Sequence, residues 1–408
     1  MRLATLDRLA PGFEDDMQQA SGGLADRTYF RTLAEQATAT IAWLQTHGVE
    51  FTIPVYYLSI GPPRIQPAGG GSAIIEKLSD AAKQAGVKFV YAASATRLRM
   101  TEGRVRGLDI QSGDGAATLD ADAVVLACGG FQGNAAMMRT QFGPGGETIK
   151  LISPGTRFDT GDGIRMAVDQ GASVSGDWSG MHMEPVDPRS KHSAPIVLVY
   201  PYGIVVDQEG RRFFDEGGGL VHETWEAFAR DIHFMRPKGI AYAILDSRLF
   251  DIPGYERAIR SEVPPYQAGT LAELAAQIAI PARNLEETIE VFNIAATGDV
   301  AQFDATQRDR LAAAADLTPP KSNWARPLTK PPFLAYPLIG AVAYTFGGLA
   351  TNEKAEVLSE RGPMLGLYAA GETTGHFYRI APNAVAVLRA LVFGQIAGRQ
   401  AVEFLRAR

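Results

Sequence analysis

Apolar residues recur at Phe30, Leu33, Ala37, Ile41 and Leu44, the spacing of one buried helical face, and Gly48 is placed to end that helix. Residues 1 to 50 as a whole read as helical, whereas residues 51 to 68, rich in Pro and β-forming side chains, predict a loop with short strands. Gly69-Gly70-Gly71-Ser72 then opens a second helix, Ala73 to Gln84, which Gly86 closes, and Val87 to Ala92 predicts a strand. Glycines ahead of a helix let backbone N–H groups approach a phosphate closely; a flexible turn explains the same residues.

Short β-runs follow at residues 96–100, 105–110 and 117–121, separated by Gly-bearing turns that signal hairpins. Ala123 to Cys128 is a continuous apolar run ending in Gly129-Gly130, the pattern of a fully buried strand whose end meets a ligand. Cys128 reads as a small core residue. Thr160-Gly-Asp-Gly163 precedes a helix from Ile164 to Gln170, where Thr160 suits a cap and Asp162 the first turn. Residues 184 to 335 differ in character, with a β-run at 203–207, helices at 271–278 and 284–295, and a linker-like, Pro-rich exit at Thr318-Pro-Pro and Lys330-Pro-Pro. Near the end, Gly366 to Ala370 predicts a buried strand closed by Gly371-Glu372, and Asn383 to Gly398 a mostly apolar helix. A strand end, a loop and a helix N-terminus aimed at one spot bind anions and carbonyls. An ionised carboxylate such as Glu372 accepts hydrogen bonds from a polyol or ribose hydroxyl.

Composition narrows the class. With 408 residues the chain exceeds one simple core and predicts two domains. A net charge of -6 gives no electrostatic reason to expect nucleic acid, and one cysteine rules out an internal disulfide or a cysteine zinc cluster. No uninterrupted apolar run reaches a span's length of about 18 residues, and the N-terminus lacks an apolar secretory core, so cytoplasm is the expectation.

"GLYAAGE" (366–372) followed by "FGQIAGR" (393–399) resembles the C-terminal flavin motif of the fumarate reductase/succinate dehydrogenase flavoprotein family. "ADAVVLACGGF" (121–131), Thr160-Gly-Asp-Gly163, "YGIVVDQEGRRFFDE" (202–216) and "YTFGGL" (344–349) are similar to further motifs of that family and fall in its order. The resemblance implies an α/β fold: an FAD/NAD(P)-binding, glutathione-reductase-like domain from residues 1–183 and 336–408, with residues 184–335 inserted as an α+β capping domain. It implies FAD as cofactor, lined by Ala95, Ala127, Gly129, Gly130, Asp162, Gly371, Glu372, Ala386 and Val387. It also implies hydride transfer between flavin and a C–C bond beside a carboxylate, in which His182 and Arg379 bind the substrate carboxylate and Tyr344 lies beside the flavin. For Asp162, capping alone is the competing reading; for His182 it is a hinge-loop residue, for Arg379 a solvated side chain, and for Tyr344 simple packing.

The chain also departs from the family. Residues 1 to 60 contain no Gly-x-Gly-x-x-Gly turn, the element that admits a pyrophosphate to a helix N-terminus. The expected fold is therefore N-terminally incomplete, with weak FAD binding. Gly217 to His222 lacks the proton-delivering arginine of fumarate reductases, Ala343 and Tyr344 replace paired histidines, and Pro382-Asn383-Ala384 replaces a glycine pair. "YPYGIVVD" (200–207), "YTFGGL" and "GLYAAGE" look closer to tricarballylate dehydrogenase-like proteins. The expected substrate is a tricarballylate- or fumarate-like carboxylate, with an electron-accepting redox partner. The alternatives are a 3-ketosteroid dehydrogenase-like enzyme with Tyr344 and Tyr378 as acid/base groups, or a truncated relative with little flavin binding and no activity.

Overall fold

The computed structural model describes residues 3–5, 8–9, 12–53, 65–313, 317–382 and 385–407. The chain begins with a short antiparallel pair, Leu3–Thr5 with Arg8–Leu9, where helix was expected. Helices α1 (Phe13–Ser21), α2 (Arg27–Thr46) and α3 (Gly70–Gln84) follow. Next come strands β1 (Ala93–Thr101), β2 (Arg104–Ser112), β3 (Gly115–Asp120) and β4 (Val124–Leu126), then α4 (Ala135–Phe142), β5 (Lys150–Leu151) and α5 (Asp162–Val168). The middle of the chain supplies β6 (Met181–Val186), β7 (Ile204–Val206), α6 (Val221–Met235), β8 (Ala241–Asp246), β9 (Tyr266–Ala268), α7 (Leu271–Gln277) and α8 (Ala282–Ala295). β10 (Phe333–Thr345), β11 (Glu356–Ser359), β12 (Gly362–Ala369) and α9 (Ala386–Arg406) complete it. Residues 54–64 of the expected 51–68 loop, and Asn383 and Ala384 ahead of α9, lie outside the described residues.

Two sheets organise the molecule. The first runs β11-β12-β2-β1, with β3 on β2 and β4 parallel to β12, where Leu367, Tyr368 and Ala369 face Val124, Val125 and Leu126. The second runs β6-β10-β8-β7, with β9 and β5 also on β10. In its centre successive residues go to opposite faces, as a pleated strand requires: Ile204 and Val206 join one apolar cluster, Val205 the other. That is why Ile204, Val205 and Val206 are all apolar, each such side chain contributing roughly 1.5–3 kcal/mol on burial.

β10 carries the architecture. Its first half pairs with β8 and β9, and its second half pairs with β6, so the sequence boundaries at 183/184 and 335/336 fall inside continuous paired strands. The Pro-rich exit is anchored rather than a free linker: Arg212 donates to the carbonyls of Pro319 and Pro320 at 2.7 and 3.2 Å.

α2 forms where its apolar face predicts it. Asp26 caps it by accepting the N–H groups of Thr28 and Tyr29 at 2.8 and 3.2 Å. Its buried face packs in one cluster with Val392, Phe393 and Ile396 of α9, and the rings of Tyr29 and Phe393 stack at 3.9 Å. The glycine cluster lies differently from expectation. Gly69, at φ 81, is the N-cap, while Gly70 and Gly71 are already inside α3.

Residues 87–92, expected as a strand, form no strand pairing among the described residues, and Val90 and Tyr91 are 63% and 75% exposed. A buried parallel strand needs neighbours on both sides, and these residues have none among the described strands. β4 shows the same shortage: β12 lies on one edge, no described strand pairs with the other, and Val125 is exposed. Cys128 is consequently an exposed residue rather than a core one, although its sulfur abuts the backbone at Gly163.

Candidate active site

The C-terminal ends of β4, β10 and β12 meet at one corner. Glu372 Oε1 accepts the Thr345 N–H at 2.8 Å and its hydroxyl at 3.3 Å. Thr345 Oγ1 accepts the Phe131 N–H at 3.3 Å, and the Thr373 hydroxyl donates to the Gly129 carbonyl at 3.1 Å. Glycine is required here: a Cβ on Gly129, at φ +75, would stand 2.1 Å from Asp159 Oδ1. Gln132 Nε2 bridges two acids, donating to Asp159 Oδ2 at 2.8 Å and to Glu372 Oε2 at 3.2 Å.

This corner holds more acceptors than donors. Burial pushes the Glu372 carboxyl up to about 7 against the lowering by the Thr345 N–H, and Asp159 adds repulsion. Burial raises Asp159 itself to about 6. Gln132 Oε1 is buried with no partner. A ligand with several hydroxyl donors answers that shortage.

The other expected cofactor residues are spread more widely. Gly371, at φ 70, is buried beside Ala390 of α9. Ala127 is exposed at the end of β4. Asp162 sits in the first turn of α5, paired with Arg165 and accepting the Thr160 hydroxyl at 2.5 Å, while Gly161 is the N-cap in place of Thr160. The Gly161 N–H donates to the Gly130 carbonyl at 2.8 Å, which ties that turn to the corner. Ala95 lies within the β1–β2 pairing opposite Ile110, away from this bonding. Ala386 and Val387 line an adjacent cavity at the start of α9.

That cavity, about 490 Å³, opens between α3, α6, β6, β10 and the start of α9. Tyr344, whose neighbour Thr345 holds Glu372, lines it together with His182. The two are direct partners across β6 and β10, with ring centroids 5.0 Å apart. A register shift between His182 and Met183 marks an irregularity of β6 at that point. Burial pushes the Tyr344 phenol far above its usual range, so it remains protonated at ordinary pH. Burial alone would depress His182, but hydrogen bonds and attraction from Glu184 and Glu226 outweigh it and raise the imidazole to about 9. Nδ1 meets Glu226 Oε2 at 2.8 Å and Nε2 meets Glu184 Oε1 at 3.1 Å.

The structure places the two residues expected to bind a substrate carboxylate differently. His182 reaches the cavity, but both ring nitrogens are already held by glutamates and neither is left to clamp an anion. Arg379 is exposed, has φ 56, and lays its guanidinium against Gly22 at the end of α1; it is not among the cavity's lining residues.

Several residues were missed. Glu184, two positions after His182 on one strand, was available from strand periodicity. Glu226 and Trp225 reach the site from α6, and Arg260 from a distant loop, with no sequence signal. Arg389 is 1% exposed, donates to the Thr374 carbonyl at 3.3 Å and lies 3.8 Å over the Phe377 ring, and no ion pair with a carboxylate forms among the described residues. Among those residues no metal-ligating cluster occurs, and no helix is long and apolar enough to cross a membrane.

Comparison with known proteins gives a family match, to the FAD binding domain model, over residues 12–384. The chain is 30% identical over 402 residues to the NADH:acrylate oxidoreductase of Vibrio harveyi, covering 92% of this chain and 37% of that protein. It is 31% identical over 358 residues to the 4-oxocyclohexanecarboxylate 2-dehydrogenase of Sinomonas cyclohexanicum, covering 81% and 60%. Among solved structures, an open conformation of a flavocytochrome c3 fumarate reductase aligns with TM-score 0.75 at 25% identity, over 96% of this chain and 67% of that one. A 3-ketosteroid dehydrogenase from Rhodococcus jostii RHA1 shares the fold, with TM-score 0.69 at 22% identity, over 98% and 85%. The chain thus spans less than two thirds of the length of those two curated relatives.

Proposed function

The chain belongs to the FAD-binding family of fumarate reductase-type flavoproteins, and from that premise we propose that it is an FAD-dependent oxidoreductase acting on a C–C bond beside a carbonyl or carboxylate. One observation carries the reading. Consecutive residues of β10 face two sites, Thr345 the Glu372 corner and Tyr344 the cavity holding His182. A ligand held by its hydroxyls at the first site lies next to a substrate held in the second.

The residues of the corner fit the polyol part of FAD, since Glu372, Asp159 and Gln132 offer acceptors in need of donors. Without side chains at Gly129 and Gly130, Asp159, Glu372 and Thr345 pack directly against the backbone there. The bound flavin supplies hydride transfer. This chain's part is to orient the substrate's C–C bond, exclude water, and hold the proton that accompanies the hydride. In the oxidative direction one carbon loses hydride and its neighbour a proton; in the reductive direction both are returned. In the reductive direction the Tyr344 phenol and the His182 imidazolium, both protonated, are the groups able to give that proton; in the oxidative direction the Glu226 carboxylate bonded to His182 is the acceptor.

The pyrophosphate half of an FAD site needs a strand, a glycine turn and a helix N-terminus. No such unit occurs among the described residues, and the free edge of β4 is where a further parallel strand would pair. On this reading residues 184–335 cover the site as a cap, and flavin binding by the chain alone is weak. The ketosteroid dehydrogenase-like alternative is favoured by one feature, the apolar Ile41, Phe51, Ile380 and Leu388 in the cavity wall. Anaerobic reduction of a flavin-loaded sample by saturated carboxylates and ketones, followed at the flavin absorbance band, tests the proposal; no response to any of them rejects it.

A further inference from the structure

The charge arrangement of the cavity points to a substrate class. Glu184, Glu223 and Glu226 line it, and so do His182 and Arg260. His182 is the cation at its buried end, and its charge is already committed. It sits between Glu184 and Glu226, at 3.1 and 2.8 Å, and the three side chains are 10%, 14% and 12% exposed in the order His182, Glu184, Glu226. The imidazole therefore carries two carboxylates, and that end of the cavity has an excess of negative charge.

A second feature has the same sense. Glu184 Oε2 is buried and has no hydrogen-bond partner. A carboxylate oxygen in that state requires a donor, and an ionised substrate carboxylate has none to offer. Trp225 closes the same end, its ring edge-on to His182 at 6.0 Å. Because the three side chains are largely buried, the repulsion between a substrate anion and the glutamates is weakened less by solvent than it would be at the surface.

We propose that Glu184 and Glu226, clamped around His182, are specificity-determining residues that reject a polycarboxylate and select an uncharged carbonyl compound able to donate a hydrogen bond to Glu184. This rests on the oxidoreductase reading of the same cavity and narrows it. Like charges brought together across a desolvated contact are a strong means of rejecting a wrong partner.

The test holds the carbon skeleton constant. Equilibrium binding of succinamide, dimethyl succinate and succinate to the full chain is measured by calorimetry, with flavin content recorded on the same samples. Succinamide is neutral and donates, the diester is neutral without donors, and succinate is a dianion. The expected order is diamide over diester over dianion, with a gap between diamide and dianion on the order of tenfold or more. Glu184→Gln and Glu226→Gln, both near-isosteric, are each expected to narrow that gap, and thermal melting of each variant checks that it is folded. Succinate binding as tightly as succinamide, or succinamide failing to bind, overturns the proposal. The order of affinities does not depend on turnover, so an inactive chain that keeps this order counts against the oxidoreductase reading and leaves the charge selection standing.

Discussion

The α-carbon of Gly130 faces the carboxylate of Glu372 so closely that a Cβ would stand 2.2 Å from Oε1 and 2.3 Å from Thr345 Oγ1. Neither neighbour can yield easily, because each is held by hydrogen bonds to the other and to the backbone around them. Gly130→Ala should therefore destabilise the chain by about 1–3 kcal/mol, the usual cost of overpacking. It should also lower flavin content beyond what the stability loss explains, because Glu372 is displaced from the ligand side. Urea denaturation paired with flavin absorbance measures both. Unchanged flavin content at unchanged stability would show that Glu372 is free to move.

The titration of His182 gives a pH signature with a definite sign. Its pKa is raised from 6.5 to about 9, with Glu184, Glu226 and Tyr344 facing the ring. A histidine raised in this way binds its proton more tightly when folded. Its contribution is complete below pH 6.5, declines as pH rises, and is lost above about 9. The size is on the order of 3 kcal/mol. Subtracting the stability of His182→Asn from that of the wild type at each pH should isolate this decline. A difference that stays flat from pH 6.5 to 9 would mean that the imidazole is not held as a cation.

The edge of β4 that no described strand covers predicts how the flavin site is completed. Fusing a strand–Gly-x-Gly-x-x-Gly–helix unit ahead of the chain should raise FAD affinity by tenfold or more, since the glycines bring the pyrophosphate onto a helix N-terminus. The same fusion should lower binding of an apolar dye, as the exposed Val125 gains a neighbour. Tight, stoichiometric FAD binding by the unfused chain would refute this.

These outcomes bear on what sequence can convey. The strand ends at Gly130 and Glu372 were legible because a continuous apolar run closed by glycines marks a strand, although β4 has only one described neighbour and leaves Val125 exposed. His182 and Tyr344 were legible as motif positions, and their juxtaposition follows from the pairing of β6 with β10. Glu226 was not, because it reaches His182 from α6, 44 residues further along the chain, and nothing local encodes that approach. Residues 87–92 show the converse. Their apolar pattern asks for a strand, yet strand formation depends on partners elsewhere, and without them the pattern stays exposed. Arg379 lies in the expected loop, but the contact of its guanidinium with Gly22, at the end of α1, is an approach that nothing local encodes.

Arg379 and Tyr344 together offer the cleanest separation of roles. Arg379 is exposed, its guanidinium rests against Gly22, and it does not line the cavity. Removing it deletes a surface contact, and such substitutions usually stay within about 0.5 kcal/mol. Arg379→Ala should therefore leave substrate affinity and turnover of a flavin-loaded sample within about threefold of wild type, since 1.4 kcal/mol corresponds to tenfold. Tyr344 is half-buried, lines the cavity and keeps its proton. Tyr344→Phe preserves the ring packing against His182 and removes only the hydroxyl, so folding and flavin content should hold. If the hydroxyl moves the proton, turnover should fall by about 10²-fold or more, with substrate affinity changed far less. Should the phenylalanine variant turn over normally, Tyr344 is a packing residue and the proton belongs to His182 and Glu226. Should Arg379→Ala abolish carboxylate turnover at full flavin content, the loop must swing inward during the reaction, and the arginine clamp read from the sequence would be restored.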